Sequence, residues 1–90
     1  MKDEDKTTLF EFPCRFPVKA MGRSSDDFEQ IVLDIVLAHA GLWQDEPVRS
    51  APSSEGNFVS ITVIIKAQSQ QQLDSIYQGL TDCSRVLMAL

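Results

Sequence analysis

The sequence predicts an α+β domain of ferredoxin-like βαββαβ architecture: a four-stranded antiparallel sheet in the order 4-1-3-2, with two helices on one face. Three observations carry this expectation. Four segments alternate apolar and polar residues with the period of a strand. Two segments repeat apolar residues with the period of a helix. Their order is strand, helix, strand, strand, helix, strand. Right-handed crossovers then set the strand order and place both helices on one face, leaving the other open.

The first strand is CRFPVKAM (14–21), with Phe16, Val18 and Ala20 on one face and Arg15, Pro17, Lys19 and Met21 on the other. Pro17 has no amide hydrogen to give to a ladder, so it belongs at a bulge or a locally unpaired position. Gly22 ends the strand. SSDDFEQ opens the first helix, where Ser25 or Asp26 can cap and Asp26 with Glu29 resembles a capping box. Phe28, Ile31, Val32, Ile35, Val36 and His39 form its apolar stripe, widened by Leu33 and Leu37, and Gly41 marks its stop.

EPVRSAPSS (46–54) is a weaker strand whose prolines, Pro47 and Pro52, assign it to an edge. NFVSITVIIKA (57–67) is the strongest strand, and its β-branched content suits a central place. Val59, Ile61, Val63, Ile65 and Ala67 share its core face. Phe58, Ser60, Thr62, Ile64 and Lys66 share the other. The second helix spans 69–80, opened by a capping box of Ser69 with Gln72 and striped by Leu73, Ile76, Tyr77 and Leu80. CSRVLMAL (83–90) closes the sheet, with Val86, Met88 and Leu90 expected on one face.

Ninety residues make one domain, read as a flexible tail over 1–8 and a single fold over 9–90. The tail, MKDEDKTT, lacks the apolar centre of a signal peptide, and no apolar stretch approaches the length of a membrane span. A cytoplasmic protein with no membrane partner is therefore expected. The net charge of −5 argues against a nucleic-acid partner. His39 is the only histidine, and with Cys14 and Cys83 it matches no zinc spacing, so neither a metal nor any other cofactor is expected. No P-loop, no GxGxxG and no nucleophile–base pair is present, so no catalytic residue is assigned.

The topology turns sequence positions into a surface. Gly22 to Ser25, the PSSEGN stretch (52–57) and Thr81 to Ser84 should gather at one end of the sheet, beside the first helix's N-terminus. Candidate ligand- or partner-binding residues there are Gly22, Arg23, Ser53, Ser54, Gly56 and Asn57. PSSEGN also reads as a hairpin turn, with Gly56 or Asn57 at positive φ. On the open face, Lys19, Lys66 and Arg85 have outward parity, and Met21, Ile64 and Leu87 would add an apolar patch. Cys14 and Cys83 fall at opposite ends, roughly 20 Å apart at about 3.3 Å per residue, too far for a disulfide within one chain. His39 is expected to be partly buried at the helix end. Trp43 either anchors an interface or closes the core after the first helix.

EFPCRFPVKAMG, PSSEGNFVSIT, QLDSIYQGL and the closing VLMAL together resemble the YbeD-like family of small uncharacterised bacterial proteins. The resemblance runs from Leu9 to Leu90 and covers Lys19, Met21, Gly22, Pro52, Ser53, Ser54, Gly56 and Asn57. It implies a ferredoxin-like fold similar to ACT regulatory domains. It also implies a regulatory link to lipoate metabolism, since such genes often neighbour lipoate-attachment genes. It implies no catalytic residues.

The function expected is that of a small non-enzymatic regulatory or adaptor domain. It would bind a small molecule or a protein, or pair as a homodimer through an edge strand or the open face. The alternative is a nucleic-acid-binding module using the basic open face. Against that alternative, RNA-binding sheets stack bases on central aromatics, and here only Phe58 has the right parity.

Overall fold

Six elements follow in the expected order: β1 (Cys14–Arg23), α1 (Phe28–Leu37), β2 (Arg49–Pro52), β3 (Phe58–Ala67), α2 (Gln70–Asp82) and β4 (Val86–Ala89). They come from a computed structural model that describes residues 11–90. The tail read at 1–8 and the first two residues of the domain lie outside the described residues. The sheet order is β2-β3-β1-β4 with every neighbour antiparallel, the expected 4-1-3-2 seen from the other edge.

β1 and β3 pair over their whole length, from Cys14 opposite Ala67 to Arg23 opposite Phe58. Their inward residues Val18, Ala20, Ile61, Val63, Ile65 and Ala67 meet Phe28, Val32 and Val36 of α1 and Leu73, Ile76 and Leu80 of α2. All are essentially inaccessible to solvent. Each large apolar side chain buried this way contributes roughly 1.5–3 kcal/mol, so the two central strands and two helices hold the molecule together.

Pro17 is paired with Ile64 on the β3 side and unpaired only on the β4 side. The amide of Lys19 bonds the Leu90 carbonyl at 3.2 Å, so residues of that parity turn their nitrogens toward β4. Pro17 lies one such step beyond the end of β4 and loses no ladder bond there. The strand does not end at Gly22, which is buried and paired with Val59. Pairing continues to Arg23.

The first helix departs from expectation at both ends. Asp27 is the cap residue, and no side chain makes a cap bond, so neither Ser25 nor Asp26 plays that part. The helix ends at Leu37, before Gly41. His39 is therefore exposed in the following turn rather than partly buried, and Leu37 is largely exposed. Gly41 is needed elsewhere. Its carbonyl accepts from the Lys66 amide at 2.9 Å, and the Trp43 amide donates to the Ile64 carbonyl at 3.0 Å. Residues 41–43 thus cover the stretch of β3 that the short β2 does not reach. Leu42, not Trp43, packs against the core.

α2 follows the sequence closely. The Ser69 hydroxyl accepts from the Gln72 amide at 3.1 Å, and the Gln72 side chain accepts from the Gln68 amide at 2.7 Å. Half-buried Tyr77 donates from its hydroxyl to the Leu90 carbonyl at 2.7 Å, tying α2 to the end of β4. Burial raises the Tyr77 pKa.

β4 is the largest correction. Val86 lies opposite Gly22, Met88 opposite Met21 and Ala89 opposite Ala20, with a bulge between Met21 and Gly22. Leu87 is the extra residue, and it shifts the parity of everything after it. Val86 and Ala89 face the core, while Met88 and Leu90 do not. A uniform alternation, which would have grouped Val86, Met88 and Leu90, fails for this reason.

Candidate functional site: the hairpin end and the open sheet face

The segments expected to meet at one end of the sheet do meet. The Ser24 amide donates to the Asn57 carbonyl at 3.0 Å, joining the end of β1 to the β2–β3 hairpin. Within the hairpin, Ser53 makes three bonds. Its amide donates to the Phe58 carbonyl at 2.8 Å and its carbonyl accepts from the Gly56 amide at 3.0 Å. Its hydroxyl accepts from the Phe58 amide at 3.2 Å. Gly56, rather than Asn57, takes the positive φ, at 77°. Ser54 and Asn57 are exposed. So Ser53 and Gly56 build the turn, and Ser54 and Asn57 are the residues whose side chains the turn leaves over.

Gly22 is a packing residue. A Cβ there would stand 2.5 Å from the Arg85 carbonyl oxygen and 2.5 Å from a ring carbon of Phe28. Arg23 is exposed, and its guanidinium lies 5.7 Å from the centre of the Phe58 ring. Beside that pair, on the open face, a shallow groove of about 180 Å³ runs between Met21, Ala51, Ser53, Phe58 and Ser60.

Beside the N-terminus of α1, three side chains bond one another. Asp27 accepts from the Ser25 hydroxyl at 2.8 Å and from Arg85 at 2.8 Å, and Arg85 also donates to Ser25 at 2.6 Å. The bond from Arg85, then that from Ser25, holds the Asp27 carboxyl down at about 2. The same pairing raises the Arg85 pKa. Arg85 therefore does not belong to the open face. It precedes β4, where strand parity does not apply, and a carboxylate at the helix end draws it there.

The open face consists of rows that cross the strands. Phe58 stands opposite Arg23. The next row is Ala51, Ser60, Met21 and Met88. After it come Arg49, Thr62 and Lys19, with Leu90 bonded in both directions to Lys19. Ile64 opposite Pro17 and Lys66 opposite Arg15 complete the face. Ile64 is only 4% exposed, so it adds nothing to an apolar patch, and Leu87 lies in the bulge. The exposed apolar residues are instead Phe58, Met88 and Leu90.

Five of the chain's eight Lys and Arg residues thus have the parity of one face: Arg15, Lys19, Arg23, Arg49 and Lys66. Lys2 and Lys6 lie outside the described residues. Arg15 is compensated, pairing with Glu46 at 2.6 and 2.9 Å. That hydrogen bond lowers the Glu46 pKa, with a further small pull from Arg49. Both helices, by contrast, carry acids and no Lys or Arg: Glu29, Asp34, Asp74 and Asp82. Arg49 escaped the sequence reading because β2 is too short and too proline-rich to show an alternation.

Both cysteines are free. Cys14 pairs with Ala67 at one end of the sheet, and Cys83 ends α2 near the other. Among the described residues no three His, Cys, Asp or Glu side chains gather to hold a metal ion. No described helix is long and apolar enough to cross a membrane.

The family described as "Protein of unknown function (DUF493)" matches residues 7–90. The chain belongs to this family. It is 45% identical over 89 residues to a UPF0250 protein of Neisseria meningitidis serogroup C, covering 99% of this chain and 98% of that protein. It is 46% identical to a UPF0250 protein of Chromobacterium violaceum over the full length of both. The solution structure of protein HP0495 from H. pylori shares the fold, with a TM-score of 0.69 at 15% identity, over all of this chain and 94% of that one. The resemblance to small uncharacterised bacterial proteins is borne out, and so is the ferredoxin-like fold. None of these matches carries an activity or a ligand.

Proposed function

We propose that this protein is a non-catalytic adaptor domain that binds a protein partner through its open sheet face. The observation that carries this reading is the sorting of charge. Cations cluster on the uncovered side of the sheet, and only acids ride on the two helices. Lys19, Arg23 and Lys66 form no ion pair among the described residues, so their charge is available to a partner. Such a dipole orients an approaching partner before contact. Like charge also opposes the stacking of two open faces, so homodimerisation through that face is not part of this reading.

The hairpin end adds the groove beside Met21 and Phe58. Ser54 and Asn57, in the same hairpin, are exposed. A small-molecule role for that end would be a separate activity, and a regulatory link to lipoate metabolism is a narrower version of the proposal. The identity of the captured partner decides the second of them.

The test is site-specific photo-crosslinking in living cells. A photoreactive residue at Ala51 or Thr62 of the open face should give discrete adducts that disappear when Lys19 and Arg49 are changed to Glu. The same residue at Glu29 or Gln78 on the helices should give none. Adducts arising only from the helix positions would overturn the reading. So would turnover of a lipoyl or amino-acid substrate that depends on Ser53 or Ser54.

A further inference from the structure

The row geometry of the open face narrows the partner, on the assumption that this face is the binding surface. We infer that the occupant is an acidic amphipathic helix of another protein, lying across the strands with its apolar stripe on the row Ala51, Ser60, Met21 and Met88.

Three features point there. First, that row carries no charge, and unlike the uncharged Pro17–Ile64 row it includes an exposed large apolar side chain, Met88. It holds the groove of about 180 Å³ at its β2–β3 end, and Met88 at its β4 end is 52% exposed. An unbranched thioether at each of two adjacent strands makes a surface that moulds to a partner's side chains. Second, cations flank the row on both sides. Arg23 lies on the hairpin side, and Arg49 and Lys19 lie on the other. Residues of one face repeat about every 7 Å along a strand. A helix about 10–12 Å across that rests its apolar stripe on the middle row therefore brings the residues on either side of that stripe over the two flanking rows. Those residues must be acidic to match Arg23, Arg49 and Lys19. Third, the length fits. Four strands about 4.8 Å apart make a row roughly 14 Å long, which about ten helical residues, near three turns, would span at 1.5 Å each.

The other occupants fit less well. A second copy offers its acidic helices only in a head-to-tail contact, which propagates into an open filament instead of closing. Single-stranded RNA needs aromatic platforms on the central strands. Here the central row is Ser60 and Met21, and the Phe58 ring is already occupied by Arg23. A contact of this size suits a transient complex.

The experiment uses the full chain, labelled for NMR, and a synthetic 14-residue helix with Leu on one stripe and Glu on both sides of it. Comparison peptides replace every Glu by Gln or every Leu by Ser. Phosphatidylglycerol vesicles and a single-stranded RNA oligonucleotide are titrated in parallel. Amide shifts confined to the rows around Met21, Ser60, Lys19 and Met88 are expected, with saturation by the Leu/Glu peptide. Exposed rim pairs each contribute modestly to binding. Losing two or three of them should weaken binding roughly tenfold, whether by the Gln peptide or by Lys19→Glu with Arg49→Glu. Both substituted side chains are exposed, and the dispersion of the variant's spectrum verifies its fold. Met88→Ser, at an exposed edge position, gives a second and charge-neutral check, again with weakened binding. Equal affinity for the Gln or Ser peptides would overturn the inference. So would shifts on the helix layer, no binding by the Leu/Glu peptide, or binding of vesicles or RNA in its place. If the photo-crosslinks still arise at Ala51 and Thr62 when this peptide fails, the adaptor reading survives and only the partner's class is wrong.

Discussion

Gly22 shows how a single residue can look functional and be structural. It sits in the FPCRFPVKAMG block and beside the hairpin, which made it a candidate contact for a ligand. It is buried under Phe28 and against the Arg85 carbonyl, with no room for a methyl group. Gly22→Ala should therefore destabilise the fold by roughly 1–3 kcal/mol, the usual cost of overpacking, with the upper end expected because one of the two neighbours is backbone. Urea denaturation of the variant beside the parent protein measures this, and an unchanged midpoint would remove the packing role. Asp27 makes the opposite case: it occupies the helix cap position, yet its side chain makes no cap bond and pairs with Arg85 instead. Its folded value of about 2 lies below the ordinary aspartate value of about 3.9. A carboxyl depressed by folding stabilises the native state above its unfolded value and stops doing so as pH falls through its folded value. The Arg85 pairing should thus strengthen the fold above pH ~4 and fade toward pH 2. The Asp27 carboxyl carbon followed by NMR should titrate near 2, and in Arg85→Gln it should titrate closer to 4. A midpoint near 4 in the parent protein would contradict the pairing.

At the scale of elements, legibility followed local chemistry. α2 was readable because its start rests on Ser69 and Gln72, three residues apart, and its stripe on Leu73, Ile76 and Leu80. Ser69→Ala should cost about 1 kcal/mol, seen as a lowered thermal midpoint with native chemical shifts elsewhere. An unchanged midpoint would mean that packing alone holds the helix start. β1 and β3 were readable because each is long and buries one face, although Ile64 breaks the alternation of β3. α1 was less so: the side chain at its cap position, Asp27, makes no cap bond and pairs with Arg85, which is 58 residues away. β4 was misread because one bulged residue, Leu87, reverses the faces, and no property of Leu87 itself announces a bulge. β2 left too little pattern to show that Arg49 faces outward. The hairpin fell in between. Gly56 at positive φ followed from turn chemistry. The bond from the Phe58 amide to the Ser53 hydroxyl explains the serine after the proline, and Ser54 has no such role.

Across the whole molecule, the sequence by itself determined the element order, the strand order, the faces of the two central strands and the core they build. Those follow from periodicity and from the handedness of crossovers, which are local or nearly local rules. It also placed PSSEGN beside Gly22 and Arg23, as the Ser24–Asn57 bond shows. Lys19 and Lys66 were legible on the open face from strand parity, and the tertiary structure decided which other charges share it. It moved Arg85 to the helix end, added Arg23 and Arg49 to the open face, withdrew Ile64 and Leu87 from it and put Met88 and Leu90 in their place. The physical reason is that a charge or an exposed methionine obeys no period. Its neighbours are set by strand register, by a bulge or by a distant carboxylate, and these exist only once the chain has folded.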